Sequence, residues 1–137
     1  MKRFVLDCSI AAAWFFEDEF NDYTEVVREF MLGEGAVAVV PAIWTAEVSN
    51  VLYQSERRKR ITPEKVNQAL HVLSQLPIET DYLPVGSMGH VLRLCREHTL
   101  TSYDALYLEL ALRESTPLAT QDKKLRESAK ASGVELV

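Results

Sequence analysis

Arg3-Phe4-Val5-Leu6-Asp7-Cys8-Ser9-Ile10-Ala11-Ala12-Ala13-Trp14 decides the fold. Phe4, Val5 and Leu6 form an uninterrupted apolar run that predicts a buried strand over 3–7, and the alanine-rich segment behind it predicts a helix over 9–16 with Ser9 as its N-cap. An acid, Asp7, stands at the joint, where the strand ends. The same strand-then-helix unit recurs outward along the chain. Strands are predicted at 36–40, 78–83, 117–120 and 134–136, and helices at 20–32, 42–58, 62–75, 87–97, 103–114 and 122–132. Pro41 ends the second strand, Thr62-Pro63-Glu64 opens a helix with a cap and a proline at its first position, and Gly133 closes the last helix. Short apolar runs alternating with helices predict an α/β fold, a mainly parallel sheet of about five strands with helices on both faces.

With 137 residues the chain makes one domain, 1–137, large enough for a single buried core. Its composition, 47% hydrophobic and 26% charged, is that of an ordinary globular protein and calls for no disordered segment. Met1-Lys2-Arg3 followed by Phe4-Val5-Leu6 looks like the start of a signal peptide, but Asp7 interrupts the run and no 18-residue apolar span follows, so a cytoplasmic protein without membrane contact is expected. Cys8 and Cys95 are too few for a disulfide scaffold and are read as free, buried thiols.

Four acids lie in apolar settings where a carboxylate is costly: Asp7, Glu47, Asp104 and Asp122. In Trp44-Thr45-Ala46-Glu47-Val48-Ser49-Asn50-Val51-Leu52 the apolar stripe of Trp44, Val48, Val51 and Leu52 borders Glu47. Asp104 opens Asp104-Ala105-Leu106-Tyr107-Leu108 on the stripe that Leu108, Ala111 and Leu112 continue, with Ser102 as the expected N-cap. Asp122 follows the strand-like Pro117-Leu118-Ala119-Thr120 and begins a helix, repeating the geometry of Asp7. In open parallel sheets ligands bind outside the carboxyl ends of the strands, which is where Asp7 and Asp122 fall. Taken singly, three of these acids could be helix-cap or first-turn residues favoured by the helix dipole, and Glu47 an exposed helix residue. Taken together, partly buried carboxylates need a positive partner, and ligands that are all oxygen suit Mg²⁺ or Mn²⁺ better than Zn²⁺.

These segments, Asp7-Cys8-Ser9, Ala46-Glu47-Val48-Ser49-Asn50-Val51-Leu52, Leu100-Thr101-Ser102-Tyr103-Asp104-Ala105-Leu106-Tyr107 and Leu118-Ala119-Thr120-Gln121-Asp122-Lys123-Lys124-Leu125, resemble in content and order the PIN-domain family, and within it the VapC toxins of toxin–antitoxin pairs. The likeness extends over essentially the whole chain. It implies a three-layer α/β/α sandwich, an acid quartet that binds Mg²⁺ or Mn²⁺, an RNA substrate, a cognate VapB-type antitoxin and a homodimer. Asn50, one helical turn from Glu47, matches the family as a residue that orients an acid. Gln121 and Glu109 stand where similar sequences often have small residues.

The chemistry expected of such a site is hydrolysis of a phosphodiester by in-line attack of a metal-activated water, with Asp7, Asp104 and Asp122 as ligands and Glu47 holding or orienting the water. Ser9 and Thr120 could contact that water or a phosphate, or serve only in capping and strand-end hydrogen bonds. A net charge of −5 and a pI near 5.2 argue against a polyanion partner, but four of the twenty acids are the expected ligands and the remainder is close to neutral. Lys123, Lys124 and Arg126 beside Asp122 are the better candidates for phosphate contacts. Arg57 and Arg58, in the run Arg57-Arg58-Lys59-Arg60, serve equally well as basic residues at a helix carboxyl end. His71, His90 and His98 lie on helices away from the acid motifs, so a histidine acid–base ribonuclease has little support. A phosphoryl-transfer hydrolase with Asp7 as nucleophile would carry a second acid at the position of Ser9. A non-catalytic PIN scaffold that binds RNA or a protein would be expected to lack one of the four acids. Trp14, Phe15, Phe16 and Trp44 are read as core, with a surface role as the other reading.

Overall fold

The structure is a computed structural model that describes residues 2–137. In chain order its elements are β1 (Arg3–Leu6), α1 (Cys8–Ala13), α2 (Asp22–Leu32), β2 (Val37–Pro41), α3 (Ile43–Arg57), α4 (Pro63–Gln75), β3 (Ile78–Asp81), a 3-10 turn (Val85–Ser87), α5 (Met88–His98), α6 (Ser102–Glu114), β4 (Leu118–Ala119) and α7 (Lys123–Ala131). The strands pair in parallel in the order β3-β2-β1-β4. Phe4, Val5 and Leu6 are wholly buried, so β1 is covered on both faces as the continuous apolar run requires. Among the described residues seven helices flank the sheet, an α/β/α sandwich.

Helix α6 lies at the centre of the packing. Ala105, Tyr107, Leu108, Leu110 and Ala111 are fully buried against β1, β2 and β4, and each leucine removed from water contributes roughly 1.5–3 kcal/mol. The expected start and stop signals hold at two places: Thr62 caps α4 ahead of Pro63, and Gly133 takes φ +77° just past α7. Of the four aromatic residues read as core, Phe16 and Trp44 are buried, whereas Trp14 and Phe15 are partly exposed.

Several boundaries differ from the sequence expectation. The strand at 134–136 reduces to one parallel bridge, Leu118 with Leu136, because β4 is only two residues long and offers no longer ladder. The sheet therefore has four strands rather than five. β3 ends at Asp81 instead of 83, opposite Pro41, which has no N–H to extend the pairing. Helix α1 stops at Ala13, and the chain turns through 14–16 while the Trp14 indole donates to the Thr24 carbonyl 2.9 Å away. Thr101, not Ser102, caps α6, its Oγ1 accepting from the Asp104 N–H at 3.2 Å. Asp7 occupies the N-cap position of α1 in place of Ser9, yet its carboxylate makes no capping bond. Cys8 and Cys95 are free but only partly buried.

β1 connects outward to β2 and β3 on one side, while β4 lies on its other side. The strand order reverses between β1 and β4, and the loops leaving their carboxyl ends diverge. In parallel α/β sheets that reversal opens a binding crevice. Asp7 leaves β1 and Asp122 leaves β4, so both stand at its rim.

Candidate active site

Asp7 is the buried member of the site, 6% exposed. Ser9 Oγ and Thr120 Oγ1 both donate to its Oδ2, at 2.9 and 2.6 Å, which leaves Oδ1 out of the protein's own hydrogen bonds. The Asp122 N–H in turn donates to Thr120 Oγ1 at 3.1 Å, tying the start of α7 to the same hydroxyl. Because no capping bond occupies the Asp7 carboxylate, the cap alternative does not account for this acid. It does account for part of Asp122, which is exposed and whose Oδ1 accepts from the Leu125 N–H at 2.8 Å.

Glu47 projects half-buried from the middle of α3, and Tyr107 Oη donates to its Oε1 at 2.5 Å. Burial pushes the Glu47 carboxyl above the usual range; the charges of Asp7 and Asp104 push the same way, and the Tyr107 hydrogen bond opposes them. Asp104, half-buried in the first turn of α6, is also raised, first by burial and then by Asp122 and Asp7, with Lys124 pulling it down. Asp7 thus acts on both Glu47 and Asp104, and Asp104 feels Asp122. Residues spread over the length of the chain share one electrostatic site.

All of the clustered donors are carboxylate oxygens, which fits a hard divalent ion in kind. Their spacing is looser than a coordination shell. Among the described residues no three Asp, Glu, His or Cys side chains stand close enough to hold an ion as they are placed.

Tyr107 is the residue that sequence reasoning left without a role. It lies three positions after Asp104 on α6, a spacing that places both on one helical face, and that was the available signal. The Cys8 thiol adjoins the same group: burial, then the charges of Asp7 and Glu47, push it far up and keep it protonated. Asn50 is exposed on α3, and Tyr107 rather than Asn50 holds Glu47.

The basic candidates separate by their contacts. Lys123 and Lys124 are exposed in the first turn of α7. Arg126 is engaged within the fold, Nη1 donating to the Thr120 carbonyl at 2.8 Å and the guanidinium lying 4.9 Å from the Tyr23 ring centroid. Arg57 lies 5.9 Å from the Tyr53 ring centroid, and Arg58 is exposed at the end of α3. Arg60 pairs with Asp18 and Glu19 at 3.1 Å, which ties down the acidic connection between α1 and α2. His71 and His90 are exposed, and His98 meets Ser132 Oγ at 3.1 Å. None of the three histidines is among the groups that shift Glu47 or Asp104.

Fold and site together define an α/β/α protein whose acids gather where the strand order reverses. The PIN domain family model matches residues 4–131, and the chain belongs to that family. No match was found among curated protein sequences. Solved structures share the fold at low identity. VapBC2 from Rickettsia felis, bound to a DNA fragment from its promoter, is 15% identical with a TM-score of 0.70 over 98% of this chain and 97% of that one. FitAcB from Neisseria gonorrhoeae is 17% identical with a TM-score of 0.66, covering 97% and 95%. VapC20 from Mycobacterium tuberculosis, described as a toxin that cleaves the sarcin-ricin loop, is 12% identical with a TM-score of 0.67, covering 98% of each. Among the described residues no helix is long and apolar enough to cross a membrane.

Proposed function

We propose that this protein is a metal-dependent endoribonuclease and the toxin of a VapBC-type toxin–antitoxin pair, cytoplasmic, neutralised by a VapB-type antitoxin and working as a homodimer. The observation that supports the reading is that Asp7 acts on both Glu47 and Asp104, and Asp122 on Asp104, while Asp7 and Asp122 leave the strands on either side of the strand-order reversal of a PIN fold. VapBC2 and VapC20 share that fold, and the description of VapC20 as a toxin that cleaves the sarcin-ricin loop supports RNA as the substrate.

Asp7, Asp104, Asp122 and Glu47 would hold Mg²⁺ or Mn²⁺, which when bound supplies an activated water and charge neutralisation at the scissile phosphate. The chain's own residues prepare that site. Ser9 and Thr120 fix Oδ2 of Asp7, so the carboxylate presents Oδ1 in one orientation. Asp122 keeps one oxygen on the helix N–H and has the other uncommitted. Lys123 and Lys124 flank Asp122 on the exposed side, where an RNA backbone would lie. Ser9 donates to Asp7 instead of offering the second acid that an aspartyl-nucleophile hydrolase needs.

Cleavage of a mixed RNA pool by antitoxin-free protein with Mg²⁺ or Mn²⁺, beside EDTA and an identically purified Asp7→Asn variant, tests the reading. Discrete fragments that vanish in both controls are expected. Folded, ion-binding protein that cuts none of several RNA classes would instead indicate a non-catalytic PIN scaffold that binds RNA or a protein partner.

A further inference from the structure

We infer that Tyr107 is a positioning residue that sets the Glu47 carboxylate for the reaction; the catalytic half of this inference rests on the nuclease reading above. Tyr107 is completely buried, where a phenol hydroxyl left without a partner carries a desolvation cost. The partner is Glu47 Oε1 on α3, sixty residues earlier in the chain. A buried tyrosine has two side-chain torsions, both fixed by packing, whereas a half-exposed glutamate has three and would sample several rotamers. The donor is therefore the rigid member of the pair and the carboxylate the one being held.

The location of the donor matters as much as its rigidity. Tyr107 lies one turn beyond Asp104 on α6, so one helix presents Asp104 to the site and fixes the carboxylate that α3 contributes. Oε1 is taken by the phenol, and Oε2 is the oxygen left for an ion or a water. The relative placement of two acids on different helices then depends on a single hydroxyl. Outer partners of this kind are worth about 10- to 100-fold in ion affinity or activity.

Tyr107→Phe removes the hydroxyl and keeps the ring, and it is to be compared with wild type, Glu47→Gln and the double variant. Four readouts apply: Mn²⁺ binding by calorimetry without RNA, kcat and KM for RNA cleavage, thermal unfolding, and the carboxyl ¹³C resonance of Glu47 in chelator-treated protein. The expected result is a folded Tyr107→Phe protein with kcat reduced about tenfold, KM unchanged, weaker Mn²⁺ binding and a displaced Glu47 resonance. In the Glu47→Gln background Tyr107→Phe should remove little more activity. Equal losses in both backgrounds, or wild-type ion binding and kcat in Tyr107→Phe, would show the hydroxyl to be structural only. If wild type neither binds Mn²⁺ nor cuts RNA, the nuclease reading falls, while the ¹³C resonance still reports whether Tyr107 holds Glu47. Should Tyr107→Phe not fold, the Tyr107 hydroxyl proton of the wild-type protein decides: it should be visible by NMR and disappear in Glu47→Ala, and its absence from wild type overturns the inference.

Discussion

Thr120 Oγ1 on the β4 side donates to Asp7 Oδ2 on the β1 side at 2.6 Å, joining two residues 113 positions apart across the point where the strand order reverses. The same hydroxyl accepts from the Asp122 N–H. One buried side chain thus orients one acid of the site and anchors the backbone of another.

Thr120→Val keeps the shape and removes both hydrogen bonds, so it should cost about 1–3 kcal/mol, the desolvation penalty of the groups left without a partner. Ser9→Ala should cost less, since Ser9 is partly exposed and Asp7 keeps the Thr120 bond. Urea unfolding of chelator-treated protein measures both. Equal effects, or none for Thr120→Val, would deny the hydroxyl its double role.

The raised carboxyls of Glu47 and Asp104 set the sign of a pH effect. Their ordinary values are 4.5 and 3.8, and the folded values are higher. The folded state therefore binds the proton more tightly than the unfolded chain, and the stability this gives is present below about pH 4 and is lost as pH rises through the raised values. At pH 7 both charges are a burden in ion-free protein. Glu47→Gln and Asp104→Asn should each stabilise chelator-treated protein at pH 7 by a few tenths to about 1 kcal/mol, after discounting for their partial exposure. That gain should fade toward pH 4. Paired denaturation curves at the two pH values check it, and a loss of stability in both variants at pH 7 would refute it.

The parallel sheet was legible because Phe4-Val5-Leu6 and Val37-Ala38-Val39-Val40 are uninterrupted apolar runs followed by helix signals. Burial on both faces leaves that mark in the sequence. The 134–136 strand was not legible in its true form, because its pairing depends on the length of β4, which is a property of another segment. Asp7, Glu47 and Asp104 could be picked out because each interrupts or borders an apolar pattern. Tyr107 was marked only by its one-turn spacing from Asp104, and a tyrosine among leucines and alanines has the same pattern whether its hydroxyl meets water, a carbonyl or Glu47. The contacts of Arg126 within the fold were hidden for a related reason, since nothing in its sequence position distinguishes a free cation from one packed on Tyr23.

Glu109 interrupts the buried stripe of α6 and is held by Arg113, whose Nε lies 2.7 Å from Oε1 and whose Nη2 reaches Asp81 at 2.6 Å. Removing the arginine leaves a carboxylate that is 7% exposed without its partner. Arg113→Ala should therefore cost about 1–3 kcal/mol, below the value for a fully buried pair because the guanidinium is partly in solvent. Glu109→Met, which removes the buried charge itself, should cost much less or nothing. Thermal unfolding of the two variants checks the order. If Glu109→Met proved the more damaging, the pair would be a net source of stability rather than a burial cost offset by Arg113.

Lys123 and Lys124 occupy the first turn of α7, where the positive end of the helix dipole disfavours a cation. Their position costs stability, so a gain elsewhere is to be expected, and Lys124 already acts on Asp104 within the site. Replacing both by alanine in the Asp7→Asn background should raise stability by a few tenths of a kcal/mol. It should also weaken binding of single-stranded RNA and reduce the slope of log affinity against log salt by about 1.4, at roughly 0.7 for each phosphate that a lysine no longer neutralises. Arg126→Ala should behave in the opposite way. Its guanidinium is committed to the Thr120 carbonyl and the Tyr23 ring, so the protein should lose stability while the salt slope stays near that of the Asp7→Asn parent. Fluorescence titration of a labelled RNA at several salt concentrations, beside urea unfolding, separates these effects. An unchanged slope in the double lysine variant would remove this face of α7 from the RNA path.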